Sequence, residues 1–331
     1  MQRLARASVW ALTLALAGSP PAPAAELIAL KVGITDRVNT VLPLWMAEAG
    51  GFYSANGLKV EIINMGGGTR GARELQAGGI DVMRVGLSSV VQINRAGGDL
   101  RAIASMSNVI RFTFFSASGV TTAADLKGGV VGVSTFGSES DTTVTLALRR
   151  LGLTRNDVVM KEYGGSTQRL AALKSGEIRA TAINEPVASQ AVAQGVNVLV
   201  DLVAEQVPWL FSSVVVRRSD IANRRDVLAR FLKAAIEGNH LAFGDERRAK
   251  EVLARELKLS DPKIIDVSYD DFRKQAPLNM ELTQASVQNV IAELPANGSA
   301  RPEDHVDTII LDELRRDGFF TALAQKYRLK P

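Results

Sequence analysis

Met65-Gly66-Gly67-Gly68-Thr69 returns 98 residues later as Tyr163-Gly164-Gly165-Ser166-Thr167, and this repeat decides the fold. Without a gap, the same offset carries Leu75 onto Leu173, Gly78 onto Gly176 and Ile80 onto Ile178. An offset of 99 sets Val32-Gly33 on Val131-Gly132, each followed by a loop rich in Ser, Thr or Asp and then a helix. Such a run of matches marks a duplicated supersecondary unit. Each copy reads strand, polar turn, helix, strand, Gly-Gly-Thr or Gly-Ser-Thr turn, helix, strand, turn, helix. Short β-branched runs predict strands over 30–34, 60–64 and 81–86 in the first copy, and over 130–134, 158–162 and 178–183 in the second. Alternating strands and helices make a parallel sheet covered on both faces, and right-handed crossovers put every strand-to-helix turn on one edge. Ligands of such sheets bind at that edge. The expected fold class is α/β, with two α/β lobes facing each other across a cleft.

The remaining third has a different rhythm, with a strand over 210–216 and helices over 225–238, 246–257, 281–294 and 309–327. The chain should cross between lobes where the run 100–106 gives way to 112–115, and return where 196–200 gives way to 210–216. Two crossing strands form a hinge for domain closure. The expected division is residues 25–108 in lobe I, 109–204 in lobe II, and 205–331 returning to lobe I with the C-terminal helices.

The chain has 331 residues, 46% of them hydrophobic and 22% charged, which excludes collagen-like and disordered classes. It contains no cysteine, so thiolate metal sites, iron–sulfur clusters and cysteine nucleophiles are excluded, and His240 and His305 leave little for metal or Ser–His chemistry. Neither a metal nor a cofactor is expected. Arg3 and Arg6, the apolar stretch 7–18 and then Ala22-Pro23-Ala24 read as a signal peptide, residues 1–24, cleaved after Ala24. No cysteine stands there for a lipid anchor, and no later run approaches the roughly 20 apolar residues of a membrane helix. A soluble periplasmic product is the expectation. Basic residues alternate with acids, as in Asp245-Glu246-Arg247-Arg248, so the formal charge of +4 gives no case for nucleic acid. Gly66-x-Gly68-x-x-Gly71 satisfies a dinucleotide fingerprint, yet no acid stands about 20 residues beyond it at the end of a following strand.

The order of the Gly33 loop, Pro43-Leu44-Trp45-Met46-Ala47, Gly51-Phe52-Tyr53, Gly57-Leu58, the Gly-Gly-Thr turn, Leu75-x-x-Gly78-x-x-Asp81, Asp125-Leu126-Lys127-Gly128, Gly152-Leu153 and Asn184-Glu185-Pro186 resembles periplasmic substrate-binding proteins of ABC importers. The nitrate/sulfonate/taurine type, related in fold to the thiamine-pyrimidine synthase family, is the subgroup it resembles. That resemblance implies a type II periplasmic-binding-protein fold. It also implies capture of a small molecule, here a sulfonate, carboxylate or nitrate, by a monomer that delivers it to an inner-membrane permease with its ATPase. Met83-Arg84 after Asp81 departs from the family, which usually has a small residue and then an apolar one. The alternatives are a pyrimidine-synthase-like enzyme, whose cysteine-rich motif this chain lacks, and a periplasmic ligand-sensing module.

Helix N-termini present free N–H groups and a positive dipole end, and so suit an anion. Gly137-Ser138-Glu139-Ser140-Asp141 opens an expected helix over 142–150, making Gly137, Ser138 and Ser140 candidate contacts. Gly68-Thr69 and Ser166-Thr167 repeat the device across the cleft, and Arg37, Asn39 and Thr40 open the first helix. Ser88 and Ser89 occupy the turn after the third strand, and Asn184 and Glu185 the equivalent turn of the second copy, where Glu185 is placed either to meet an amino group or to serve as a solvated first-turn acid. Phe136 and Trp209 are candidates to flank the ligand, while Trp45 belongs to the core.

Overall fold

Among the residues described by the computed structural model, 26–294 and 301–329, ten strands form two sheets of five. In chain order they are β1 (Ile28–Ile34), β2 (Leu58–Asn64), β3 (Val82–Val85), β4 (Leu100–Val109), β5 (Thr113–Ser116), β6 (Val130–Val133), β7 (Val159–Glu162), β8 (Ala180–Ile183), β9 (Asn197–Asp201) and β10 (Pro208–Arg217). The first sheet runs β2-β1-β3-β10-β4 and the second β7-β6-β8-β5-β9. Exchanging β1 to β4 for β6 to β9, and β10 for β5, turns one order into the other, so the sequence repeat is a structural repeat. β1 pairs in parallel with β2, Ile28 opposite Leu58 through Ile34 opposite Asn64, as β6 pairs with β7 from Val130 and Val159 to Val133 and Glu162. The fourth position of each sheet holds the strand that has just crossed over: β10 lies antiparallel between β3 and β4, and β5 antiparallel between β8 and β9. The chain therefore crosses once between β4 and β5 and returns between β9 and β10. The expected export segment lies outside the described residues.

The repeated Val-Gly dipeptide has a steric cause. A Cβ on Gly33 would stand 2.6 Å from the end of Ile80, and one on Gly132 2.8 Å from the end of Ile178. In each lobe the isoleucine that opens the third repeat segment lies across the first strand, and only glycine leaves it room. Leu75 and Leu173 likewise occupy equivalent buried positions. One core joins the first sheet to the C-terminal helices, around Val32, Trp45, Phe231 and Tyr269. The other runs from Leu75 and Val90 through Ile110, Phe112, Leu202 and Trp209 at the crossings into the second lobe.

Two expectations on helices need correction, and one helix lies where none was expected. The helix expected over 309–327 is two, Ile309–Arg316 and Phe319–Tyr327, because Gly318 adopts φ 75° and breaks the hydrogen-bond ladder. The helix expected to begin at 142 begins at Glu139, with Ser138 as its cap. A helix not anticipated, Pro262–Gln275, starts with proline in its first turn and an Asp261 cap accepting from Lys263 N at 2.9 Å. It buries only Ser268, Tyr269 and Phe272, too thin a stripe to stand out as an apolar period.

Candidate functional site

The C-terminal edges of both sheets meet along one seam, and acids from each lobe cap helices of the other. Glu139, at the start of a second-lobe helix, accepts from Ser88 N at 2.6 Å and from the indole Nε1 of Trp209 at 2.6 Å. Asp36, from the loop after β1, accepts from Ser166 N at 2.7 Å. Backbone N–H groups in the first turn of a helix are unsatisfied and lie at its positive end, so the carboxyl oxygens of both acids find donors there. Thr69 completes the clasp, its N donating to Thr135 Oγ1 at 3.3 Å and its hydroxyl to the Phe136 carbonyl at 2.9 Å. Gly86 leaves space for Glu139, since a Cβ there would fall 2.2 Å from its side chain.

Between these clasps lies a small polar cavity of about 40 Å³, lined by Thr35, Gly68, Arg84, Ser138, Glu139 and Asn184, with Phe112 and Phe211 beside them. The two rings meet edge to face at 4.9 Å. Arg84 donates to Thr35 Oγ1 at 2.7 Å and to Thr40 Oγ1, while its Nε has no partner among the described residues. Burial lowers the pKa of this guanidinium to about 10. The Ser89 hydroxyl is buried and also unpartnered there. Opposite it, Ser134, Ser138 and Ser140 share hydroxyl contacts of 2.9–3.0 Å, and Ser138 Oγ also accepts from Asp141 N at 3.4 Å. Burial pushes the Glu139 carboxyl up to about 7, against the pull of its donors and of Arg84. Arg169, fully buried, donates to the Ala182 carbonyl and to Ser166 Oγ, and Ser166 in turn donates to Asn184 Oδ1 at 2.8 Å.

A second, larger cavity of about 480 Å³ flanks the seam between β5, β9 and the helix Val187–Ala193 on one side and the helix Pro262–Gln275 on the other. Asp271 of that last helix pairs with Arg111, from the first crossing, and accepts from Asn39 Nδ2 at 2.7 Å. Glu185 lines the same cavity, follows β8, precedes a cis proline, and is pushed up by burial.

The structure brings together at the seam Asn39, Thr40, Gly68, Thr69, Ser88, Ser89, Gly137, Ser138, Ser140, Ser166, Asn184 and Glu185. Arg37 does not join them: it pairs with Glu256 at 2.7 Å and lies over Trp45. Thr167 is exposed beyond the turn. Trp209 is buried and committed to Glu139 rather than facing a cavity, and Phe136 is 46% exposed, contributing its carbonyl. Arg84, Arg111, Glu139, Arg169 and Asp271 were not singled out as site residues. Arg84 alone carried a sequence signal, as the departure after Asp81. Among the described residues no group of acids and histidines could hold a metal, and no helix is long and apolar enough to cross a membrane.

Residues 39–249 match the family model described as NMT1/THI5 like. The riboflavin-binding protein RibY of Chloroflexus aurantiacus is 28% identical over 212 residues, which cover 62% of this chain and 60% of that protein's length. The fold is shared with the periplasmic aliphatic sulphonate binding protein SsuA of Escherichia coli, at 21% identity and TM-score 0.62 over 88% of this chain and 94% of that one. It is also shared with the periplasmic nitrate-binding protein NrtA of Synechocystis, at 16% identity and TM-score 0.64 over 91% and 89%. A duplicated α/β lobe, a strand exchanged at each crossing and a seam lined by helix N-termini thus coincide with the sequence match, and the chain belongs to the NMT1/THI5-like family.

Proposed function

We propose that this chain is a periplasmic solute-binding protein that captures a small organic molecule bearing an acidic group between its lobes and delivers it to an ABC permease. The observation that carries this reading is the pair of buried donors without partners among the described residues, Arg84 Nε and the Ser89 hydroxyl, at a seam between two lobes joined by two crossings. Buried donors of this kind gain by meeting a ligand acceptor. In the closed arrangement the cavity has room for only a few water molecules, so the solute enters with the lobes apart and displaces the acids that now cap the facing helices. The lobes are residues 25–108 with 205–331, and residues 109–204. Export follows from residues 1–24 with cleavage after Ala24, and the protein works as a monomer without a cofactor, offering the loaded, closed form to the permease and its ATPase.

A neutral heteroaromatic solute is the second reading, favoured by Phe112 and Phe211 beside a carboxylate and by the name of the Chloroflexus relative. Mass spectrometry of small molecules released from purified periplasmic protein, followed by calorimetry with alkanesulfonates, nitrate, aromatic carboxylates and riboflavin, tests both. Binding of an acidic solute that weakens in Arg84→Gln supports the first reading. Tight binding of a neutral or cationic solute alone overturns it.

A further inference from the structure

Glu139 opens the second-lobe helix Glu139–Arg150, yet its carboxyl is spent on the first lobe. One oxygen accepts from Ser88 N and the other from the indole Nε1 of Trp209, each at 2.6 Å, and the Ser88 side chain adds a third hydrogen bond. Ser88 lies in the first turn of the nine-residue helix Leu87–Arg95, and Trp209 in β10, just after the return crossing. Two further donors stand by without partners among the described residues. Arg84, 4% exposed, lines the same small cavity with its Nε unpaired, and the Ser89 hydroxyl faces Gly68 of that cavity, where a Cβ would stand 2.7 Å from it. Donors of one lobe thus converge on a single acid of the other and exceed what it satisfies.

An acid anchored on one lobe and held by donors of the other is released whenever the lobes part. Opening withdraws Glu139 and bares Ser88 N and Trp209 Nε1 at the moment a solute can enter. On reclosure a buried N–H without an acceptor costs free energy, so these donors take whichever acid meets them, the protein's own or the solute's. The contact is poised for such exchange. Hydrogen bonds of this kind hold a carboxyl low in pKa when they dominate, whereas burial here outweighs them and pushes Glu139 up to about 7. At neutral pH the group ionises more freely in water than in the seam.

We propose that Ser88 N and Trp209 Nε1 receive the acidic group of the solute, and that Glu139 is an internal competitor filling them while the protein is empty. This inference rests on the reading of an acidic solute at the seam, and adds the donors which that solute takes and the group it evicts. An acid that binds these donors less well than a tethered carboxyl is rejected.

Acetate at pH 7 is the probe, because removing Glu139 beyond its Cβ vacates the space of one CH2–COO unit. In calorimetry Glu139→Ala should bind acetate about tenfold or more tightly than the native protein does. The same variant should prefer acetate to its neutral isostere acetamide by about tenfold, the worth of one charge-assisted hydrogen bond. Glu139→Ser, which keeps a polar residue in the first turn, should behave alike. Trp209→Phe in the Glu139→Ala background keeps a ring but removes the indole donor, and should weaken acetate about tenfold. Equal acetate affinity in native protein and variant, acetamide binding as tightly as acetate, or indifference to loss of the indole N–H would overturn the proposal. So would failure of both Glu139→Ala and Glu139→Ser to fold, since a competitor is dispensable to the fold and a structural brace is not. The acidic-solute reading is judged on the native protein through Arg84→Gln, so it can stand while this inference falls.

Discussion

Glu139→Gln probes the cross-lobe clasp through its proton. Both carboxylate oxygens accept hydrogen bonds of 2.6 Å, from Ser88 N and Trp209 Nε1, inside a closed seam, and burial raises the carboxyl from 4.5 to about 7. At 1.36 kcal/mol per pH unit, that rise corresponds to about 3 kcal/mol. Below pH 4.5 the group is protonated in folded and unfolded chains alike, and its contribution to stability is complete. Between 4.5 and 7 the unfolded chain releases the proton while the folded chain keeps it, so stability falls as pH rises, levelling off above 7. Glutamine has no proton to release. It offers one acceptor oxygen to two donors, a pH-independent cost of about 1 kcal/mol. The variant should therefore gain on the native protein by about 3 kcal/mol between pH 4 and pH 8, superimposed on that constant offset. With an unfolding entropy of roughly 2.1 cal/mol/K per residue over about 300 residues, the gain is about 5 °C in relative Tm. Melting curves of both proteins at half-unit pH intervals, with tryptophan emission as a probe of Trp209, measure it. A Tm difference that stays flat across this range would refute the argument that Glu139 is buried with its proton.

Ser138→Ala should weaken an acidic solute about tenfold or more, the value of one charge-assisted hydrogen bond, while lowering stability by about 1 kcal/mol; unchanged Kd would leave Ser138 as a cap alone. Asp36→Ala removes the cap on Ser166 N from the opposite lobe and should expand the unliganded protein in small-angle scattering, an effect absent if the lobes are held together by other contacts. Gly132→Val sets branched carbon against Ile178 and should cost about 1–3 kcal/mol in urea unfolding, with solute affinity kept. Arg37→Ala should leave solute affinity unchanged in calorimetry, because its guanidinium is held by Glu256 and lies over Trp45.

Much of the cleft is legible in the sequence. Helix openings rich in Gly, Ser and Thr announced themselves locally, and Ser88, Ser138 and Ser166 do lie at helix N-termini along the seam. Arg37, in the same kind of opening, turned away because a partner 219 residues later stands outside the cleft. Thr167 failed for a simpler reason, one residue too far around its helix. Asp271 escaped notice because its helix buries a thin stripe, and Arg111 because nothing local distinguishes an arginine at a crossing from one on a surface.

The sequence by itself determined the duplication, the order of strands and helices along each copy and the positions of both crossings. Those properties rest on periodicity and on Val-Gly and Gly-x-Ile spacings that recur in each copy, constraints that act within one repeat unit. Only the tertiary structure decided the chemistry of the seam. Glu139 reaches Ser88 across 51 residues, Ser166 reaches Asp36 across 130, and Arg111 reaches Asp271 across 160, each partner on a different element. Local patterns specify which edge of a sheet a turn occupies. How two such edges meet, and hence which buried charges are neutralised and which donors are left for a ligand, follows from the packing of the lobes against each other, to which no stretch of chain in isolation is sensitive.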